Sequence, residues 1–232
     1  MKKNTLKREI KTTSDGSKTL YINDLEEGYH SHHGALQEAE HVFINNGIKN
    51  INNCEINILE LGFGTGLNAL VTIDEFLKNN DNQSINYFTL EKYPVNEEEV
   101  IQLSYVEHFN FDNSEEIYQK LHTSAWGKTI EILPNFTFTK YNCDFFELQN
   151  IDLPKINLVY YDCFGARVQP DLWEKPLFEM VKNKMATEGL LTTYSSKGSV
   201  RRILKELNFE VKKLEGPKGK REMINAILKS TK

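Results

Sequence analysis

The chain has 232 residues, of which 39% are hydrophobic and 26% charged, with a formal net charge of −5; this is enough for one core-bearing domain and excludes collagen, coiled coil and wholesale disorder. Three widely spaced cysteines, Cys54, Cys143 and Cys163, form no CxxC pair, which excludes a disulfide framework and the usual structural zinc sites. The basic start has no apolar stretch behind it and no apolar run nears the roughly 20 residues of a membrane span, so a cytoplasmic protein with no membrane partner is expected.

Residues 1–50 carry no dominant period and read as an N-terminal segment packed on a main domain at 51–232. Within it, Asp15-Gly16-Ser17 signals a turn, 19–22 a short strand and 34–46 a helix. The apolar run 56–61 predicts a strand ending at a glycine cluster, and apolar residues at 67, 70, 71, 73, 76 and 77 predict a helix over 67–78. Residues 87–90 form the next predicted strand. The stretch 96–133 reads as a mostly helical, amphipathic insertion, longer than one crossover needs. Strands follow at 136–139, 156–161 and 189–194, with helices near 171–184 and 198–207 and a closing hairpin at 209–214 and 223–228. Alternating strands and helices predict a parallel doubly wound α/β sheet with an antiparallel edge. Charge is uneven: residues 1–20 hold six Lys/Arg against two acids and residues 197–232 eleven against four, on an acidic middle. Basic ends of this kind either grip an anionic polymer or form solvated faces.

The most informative stretch is Glu60-Leu61-Gly62-Phe63-Gly64-Thr65-Gly66-Leu67-Asn68, between the strand at 56–61 and the next helix. Alternate glycines let a backbone turn sharply and lie against a ligand at a helix N-terminus. The dinucleotide fingerprint GxGxxG is missed from Gly62, because Leu67 stands at the third glycine position, and from Gly64 only a loose form ending at Ala69 is present. A plain strand-to-helix turn is the alternative. Glu91 ends the second main strand, where a carboxylate can accept both hydroxyls of a ribose. Asp144 follows the third strand and Asp162 the fourth. Each acid alone is more often a surface group or helix cap; together, at successive strand ends, they outline a ligand crevice.

The pattern ExGxGxG resembles the first motif of S-adenosylmethionine methyltransferases. Gly62 to Asn68, Asp162-Cys163-Phe164 with Pro170-Asp171-Leu172-Trp173, Lys220-Arg221-Glu222-Met223 and the stretch from Tyr29 to Phe43 together resemble the methyltransferase half of the MnmC family, which completes 5-methylaminomethyl-2-thiouridine at the tRNA wobble position. The resemblance spans about residues 15–230. It implies a class I methyltransferase fold, Rossmann-like, with a seven-stranded mostly parallel sheet and an antiparallel edge hairpin. It implies S-adenosyl-L-methionine as cofactor, held by Glu60, Gly62, Gly64, Gly66, Asn68, Glu91, Asp144 and Phe145, and an aminomethyl uridine of a tRNA anticodon loop as acceptor. Asp162 would orient the acceptor amine as the catalytic residue, with Ser31, Glu38, Phe164, Arg201, Lys218 and Lys220 toward the substrate. Cys163 departs from the Gly or Ala usual in that motif. The family's FAD-dependent oxidase domain is not expected here, so either a separate oxidase enzyme supplies the aminomethyl intermediate or the acceptor differs.

Other readings are a methyltransferase or aminopropyl transferase acting on a small amine, and a non-catalytic binding module of the same fold. His30, His32, His33 and His41 lack the spacing of a metal motif, and no metal is expected. Cys163 reads as a small core residue, since transfer to an amine needs no covalent intermediate.

Overall fold

The computed structural model describes residues 7–78 and 83–230. It begins with a small antiparallel sheet of β1 (Arg8–Thr12), β2 (Lys18–Ile22) and β3 (Glu27–Gly28), of which only β2 is anticipated by the residue pattern. The helix α1 (Ala35–Ala39) continues as a π-helical stretch, Glu40–Asn45, whose Val42, Phe43 and Ile44 are buried.

The main sheet is built from β4 (Glu55–Leu61), β5 (Ser84–Leu90), β6 (Ile130–Leu133), β7 (Phe136–Tyr141), β8 (Ile156–Tyr161), β9 (Met185–Thr193), β10 (Phe209–Glu215) and β11 (Glu222–Leu228). Their spatial order is β10-β11-β9-β8-β4-β5-β7-β6. The five central strands β9, β8, β4, β5 and β7 are parallel; β6, β11 and β10 pair antiparallel at the two edges.

The sheet thus has eight strands, one more than expected, and the insertion near 96–133 is only partly helical. It supplies α3 (Glu97–Leu103) and α4 (Ser114–Thr123), but its end folds as β6. The signal for β6 is its turn: Pro134 and Asn135 alone separate Leu133 from its partner Phe136, and Asn135 takes the left-handed conformation (φ 66°) that asparagine tolerates. α3 begins with a reciprocal cap, Asn96 Oδ1 accepting the Glu99 N–H and the Glu99 carboxylate accepting the Asn96 N–H, both at 2.8 Å.

Side-chain alternation along the central strands splits the core in two. Ile58, Tyr87, Phe136, Phe138 and Tyr160 meet α2 (Leu67–Lys78) and the α1 region on one face. Leu59, Leu61, Val159, Tyr161 and Leu191 meet α5 (Lys175–Lys184) and α6 (Gly198–Glu206) on the other. Burial on both faces explains why these strands read as continuous apolar runs rather than alternating ones. Among the described residues, no helix is long and apolar enough to cross a membrane.

Candidate active site

Register brings four strand ends to one edge. Leu61 pairs with Leu90 and with Tyr161, and Leu90 pairs with Tyr141, so Gly62, Glu91 and Asp162 follow side by side, and Asp144 comes just past Tyr141 after Asn142 and Cys143. Since α2 covers one face after β4 and α5 the other after β8, the winding reverses between these strands, where a doubly wound sheet opens a crevice. A cavity of about 650 Å³ lies there. The strand ends and the Gly62–Asn68 loop form one side, and residues of β1–β3 and the following segment through His33 form the other.

The loop backbone requires its glycines. Gly62 has φ +104° and a Cβ there would lie 2.6 Å from the Asp162 carbonyl oxygen; at Gly64, φ +50°, it would lie 3.2 Å from the Tyr29 ring. Three side chains of the insertion hold Thr65 from behind. The Tyr118 hydroxyl donates to its carbonyl at 2.9 Å, the Tyr105 hydroxyl to its Oγ1 at 3.2 Å, and His122 Nε2 lies 3.2 Å from its carbonyl. Burial, reinforced by Lys140, lowers the His122 pKa to about 3, so its imidazole is neutral and can donate to that carbonyl.

Glu91 accepts the Gly64 N–H at 2.9 Å and the Tyr93 N–H at 2.6 Å; burial nonetheless holds its carboxyl above the usual glutamate range. Asp144 caps the short turn Phe145–Asn150, accepting the Phe146 N–H at 3.0 Å, and meets Lys92 at 2.7 Å. Burial opposes its charge, but the Lys92 ammonium and that N–H keep its pKa below the usual value. Asp162 accepts from Asn68 Nδ2 at 2.8 Å, and burial pushes its carboxyl up to about 7 against the pull of that bond. A carboxyl titrating near neutrality in a cleft is suited to proton exchange. Cys163 is buried and its thiol pKa is pushed well upward, consistent with an inert core residue.

Opposite Asp162 stands a second polar group. Glu38 accepts the Ser31 N–H at 2.8 Å and the Lys220 ammonium at 2.6 Å, and Lys220 lies 3.8 Å above the Tyr194 ring. Burial disfavours the Glu38 charge, yet Lys220 holds its pKa below the ordinary range. Tyr29 and Phe164 meet edge-to-face at 5.0 Å and add an aromatic wall.

The cavity therefore brings together Ser31, Glu38, Gly62, Gly64, Asn68, Glu91, Asp144, Phe145, Asp162, Phe164 and Lys220 of the sequence-predicted set. Four members lie outside it. Glu60 is buried beneath the loop, Gly66 faces Phe63 and His122 behind it, Arg201 is half-buried on α6, and Lys218 is exposed on the hairpin turn.

Sequence reading missed Arg8 and Tyr194 altogether and gave Tyr29 no role of its own. Arg8 donates to the Tyr29 hydroxyl at 3.0 Å and to the carbonyls of Tyr93 and Pro94 at 3.1 and 3.2 Å, and lies 2.9 Å from Glu99. The histidines are spread over different contacts: His30 on Thr19 at 3.0 Å, His41 on the Glu215 carbonyl at 2.9 Å, and His32 against His33 with the rings tilted by 39°. Among the described residues, no group of three metal-ligating side chains converges.

The chain is 30% identical over 210 residues to the tRNA 5-methylaminomethyl-2-thiouridine biosynthesis bifunctional protein MnmC of Leptospira interrogans, a match covering 84% of this chain and 32% of the relative. It is 29% identical to the protein of the same name from Campylobacter fetus, covering 90% of this chain and 34% of the relative. The chain thus spans about a third of the length of the curated relatives it matches. The crystal structure of MnmC2 from Aquifex aeolicus superposes with a TM-score of 0.80 at 25% identity, covering 99% of this chain and 72% of that one. Residues 114–229, half of the chain, match the S-adenosyl-L-methionine-dependent methyltransferase profile, and with a class I methyltransferase fold around the glycine-loop cavity the chain belongs to that family.

Proposed function

We propose that this chain uses S-adenosyl-L-methionine to N-methylate the aminomethyl group of a wobble uridine in tRNA, giving 5-methylaminomethyl-(2-thio)uridine. The observation that carries the reading is the Asp162 carboxyl, held beside the glycine loop with a pKa of about 7, in a chain similar over most of its length to MnmC proteins named for that nucleoside.

The residues present fit the cofactor. A Cβ at Gly64 would close the space against Tyr29. Glu91 uses two of the roughly four acceptor sites of a carboxylate on backbone N–H groups and has capacity left for ribose hydroxyls. Gly62, Gly64 and the backbone N–H of Asn68 would hold the methionine part, with Asp144 and Phe145 toward the adenine. Bound there, S-adenosyl-L-methionine supplies a sulfonium methyl open to direct displacement.

Asp162 as a carboxylate would hold the acceptor amine in line and take the proton it gives up. Alignment of this kind is worth ~7–11 kcal/mol. Tyr29 and Phe164 offer aromatic surface to a base splayed out of its loop. Glu38 and Lys220 would meet the substrate as a matched pair, and Ser31 fixes the Glu38 carboxylate.

In this account the described residues of the segment 1–50 act as a cover on a methyltransferase domain at 51–232, working in the cytoplasm on an aminomethyl intermediate made by a separate oxidase. Arg202 and Lys218, exposed on α6 and the hairpin turn, would meet tRNA phosphates with Arg201 beside them. The test is mass spectrometry of wobble nucleosides in tRNA from a strain lacking the protein. Loss of the methylaminomethyl nucleoside with accumulation of the aminomethyl form is expected; unchanged nucleosides would remove the reading.

A further inference from the structure

Beneath the glycine loop lies a buried polar group that the proposed chemistry does not use. Asn68 donates through Nδ2 to Asp162 at 2.8 Å, while its Oδ1 is buried without a hydrogen-bond partner among the described residues. Both carboxyl oxygens of Glu60, the Tyr87 hydroxyl and the Thr89 hydroxyl are likewise buried and unpaired among the described residues. Asn68, Tyr87 and Thr89 all lie within interaction range of the Glu60 carboxyl. An ionised carboxylate held there with no cation would be costly, whereas a neutral carboxylic acid has one O–H to donate and a carbonyl oxygen to accept. The acceptor in need of a donor is Asn68 Oδ1, and the Tyr87 and Thr89 hydroxyls can serve the carbonyl.

We propose that Glu60 is a positioning residue for Asp162: in its protonated form it donates to Asn68 Oδ1 and so fixes the amide with Nδ2 turned toward the catalytic carboxylate. An amide is otherwise free to turn over, and an ionised Glu60 would draw the Asn68 NH₂ group to itself and leave Asp162 unheld. Burial raises the Glu60 pKa to about 8, Thr89 opposing and Asp162 adding to the rise. The groups around it are Tyr87 and Thr89 of β5, Tyr160 of β8 with Asp162 just beyond it, and Asn68 and Thr72 of α2. Glu75, further along α2, pairs with Lys49 at 3.2 Å. Burial pushes both tyrosines above their ordinary values, so Glu60 and Asp162 are the members that titrate near neutrality. Glu60 therefore acts on the acceptor side through another residue, rather than touching the cofactor as the sequence motif implies.

The inference rests on the role proposed for Asp162, and the test separates the two. Turnover of the full chain on aminomethyl-bearing tRNA is followed from about pH 6 to about pH 9, with cofactor Kd measured by calorimetry for each variant. Glu60→Leu is expected to lower kcat about tenfold near pH 7 with cofactor Kd within about twofold, because the Asp162 carboxylate loses its orientation. Glu60→Gln keeps a donor that cannot ionise. It is expected to restore kcat to within about threefold of the natural chain and to lack the loss of activity expected of the natural chain above about pH 8. If the leucine variant does not fold, the glutamine pH profile decides alone. The same alkaline loss in Glu60→Gln, or a raised cofactor Kd at unchanged kcat, overturns the inference. Full activity of Asp162→Asn would instead overturn the reading of Asp162.

Discussion

Asp162 keeps its proton to higher pH in the folded chain than in the unfolded one, its pKa rising from 3.8 to about 7 through burial, with the Asn68 bond opposing. The sign follows from linkage: the stabilising contribution is full below about pH 4 and is lost as pH rises through about 7, where a poorly solvated charge must form. Asp162→Asn removes that titration. It is expected to lower turnover while melting higher than the natural chain at pH 8, by several degrees, with the gain shrinking toward pH 4. An equal melting shift at both pH values would contradict the burial account. Gly62 gives a second residue-level test. Gly127 also has positive φ (+71°) but open space around it, whereas a Cβ on Gly62 would meet the Asp162 backbone at 2.6 Å. In urea unfolding, Gly127→Ala should cost about 1–2 kcal/mol, the strain of a left-handed alanine, and Gly62→Ala clearly more. Equal costs would mean that conformation alone, rather than close approach, demands glycine at 62.

The helices of the insertion have a function at the scale of the element. Tyr105, Tyr118 and His122 converge on Thr65 and so brace the glycine loop from outside the sheet. Tyr118→Phe keeps the ring but removes one bond to the Thr65 carbonyl, worth about 1 kcal/mol, and should raise cofactor Kd about fivefold with kcat little changed. Calorimetric titration checks this; an unchanged Kd would make the insertion passive. None of these contacts can be read from the sequence, because each joins residues 40 to 57 apart with no shared period. The helix Leu67–Lys78, by contrast, is legible to the residue, since its apolar stripe and the glycines before it are local signals. The acids at 91, 144 and 162 were legible as strand ends for the same reason. β6 was hidden inside an amphipathic stretch, and Arg8 inside a basic one. What ties Arg8 to Tyr29, Tyr93 and Pro94 is tertiary proximity across a gap of 85 residues or more in the latter two cases.

For the molecule as a whole, the N-terminal segment, its sheet and α1 together, is tied over the cavity at three places. Arg8 bridges Tyr29 to Tyr93 and Pro94, Arg167 bonds Glu27 at 2.7 Å and the carbonyls of Leu25 and Glu26, and Lys220 reaches Glu38. Lys220 is thus committed to the cavity, and the exposed cations are elsewhere. Replacing Arg202 and Lys218 with Ala should weaken tRNA binding and flatten its salt dependence by ~0.7–0.9 log units per log unit of salt for each phosphate no longer neutralised, leaving cofactor affinity unchanged. An unaltered slope would return both residues to the solvated surface. The most direct measurement of the central claim uses the purified chain, S-adenosyl-L-methionine and tRNA carrying 5-aminomethyl-2-thiouridine, with nucleosides resolved by mass spectrometry. The account predicts that the aminomethyl nucleoside gains one methyl group with the natural chain and only slowly with Asp162→Asn. Cofactor binding without any such conversion would contradict it.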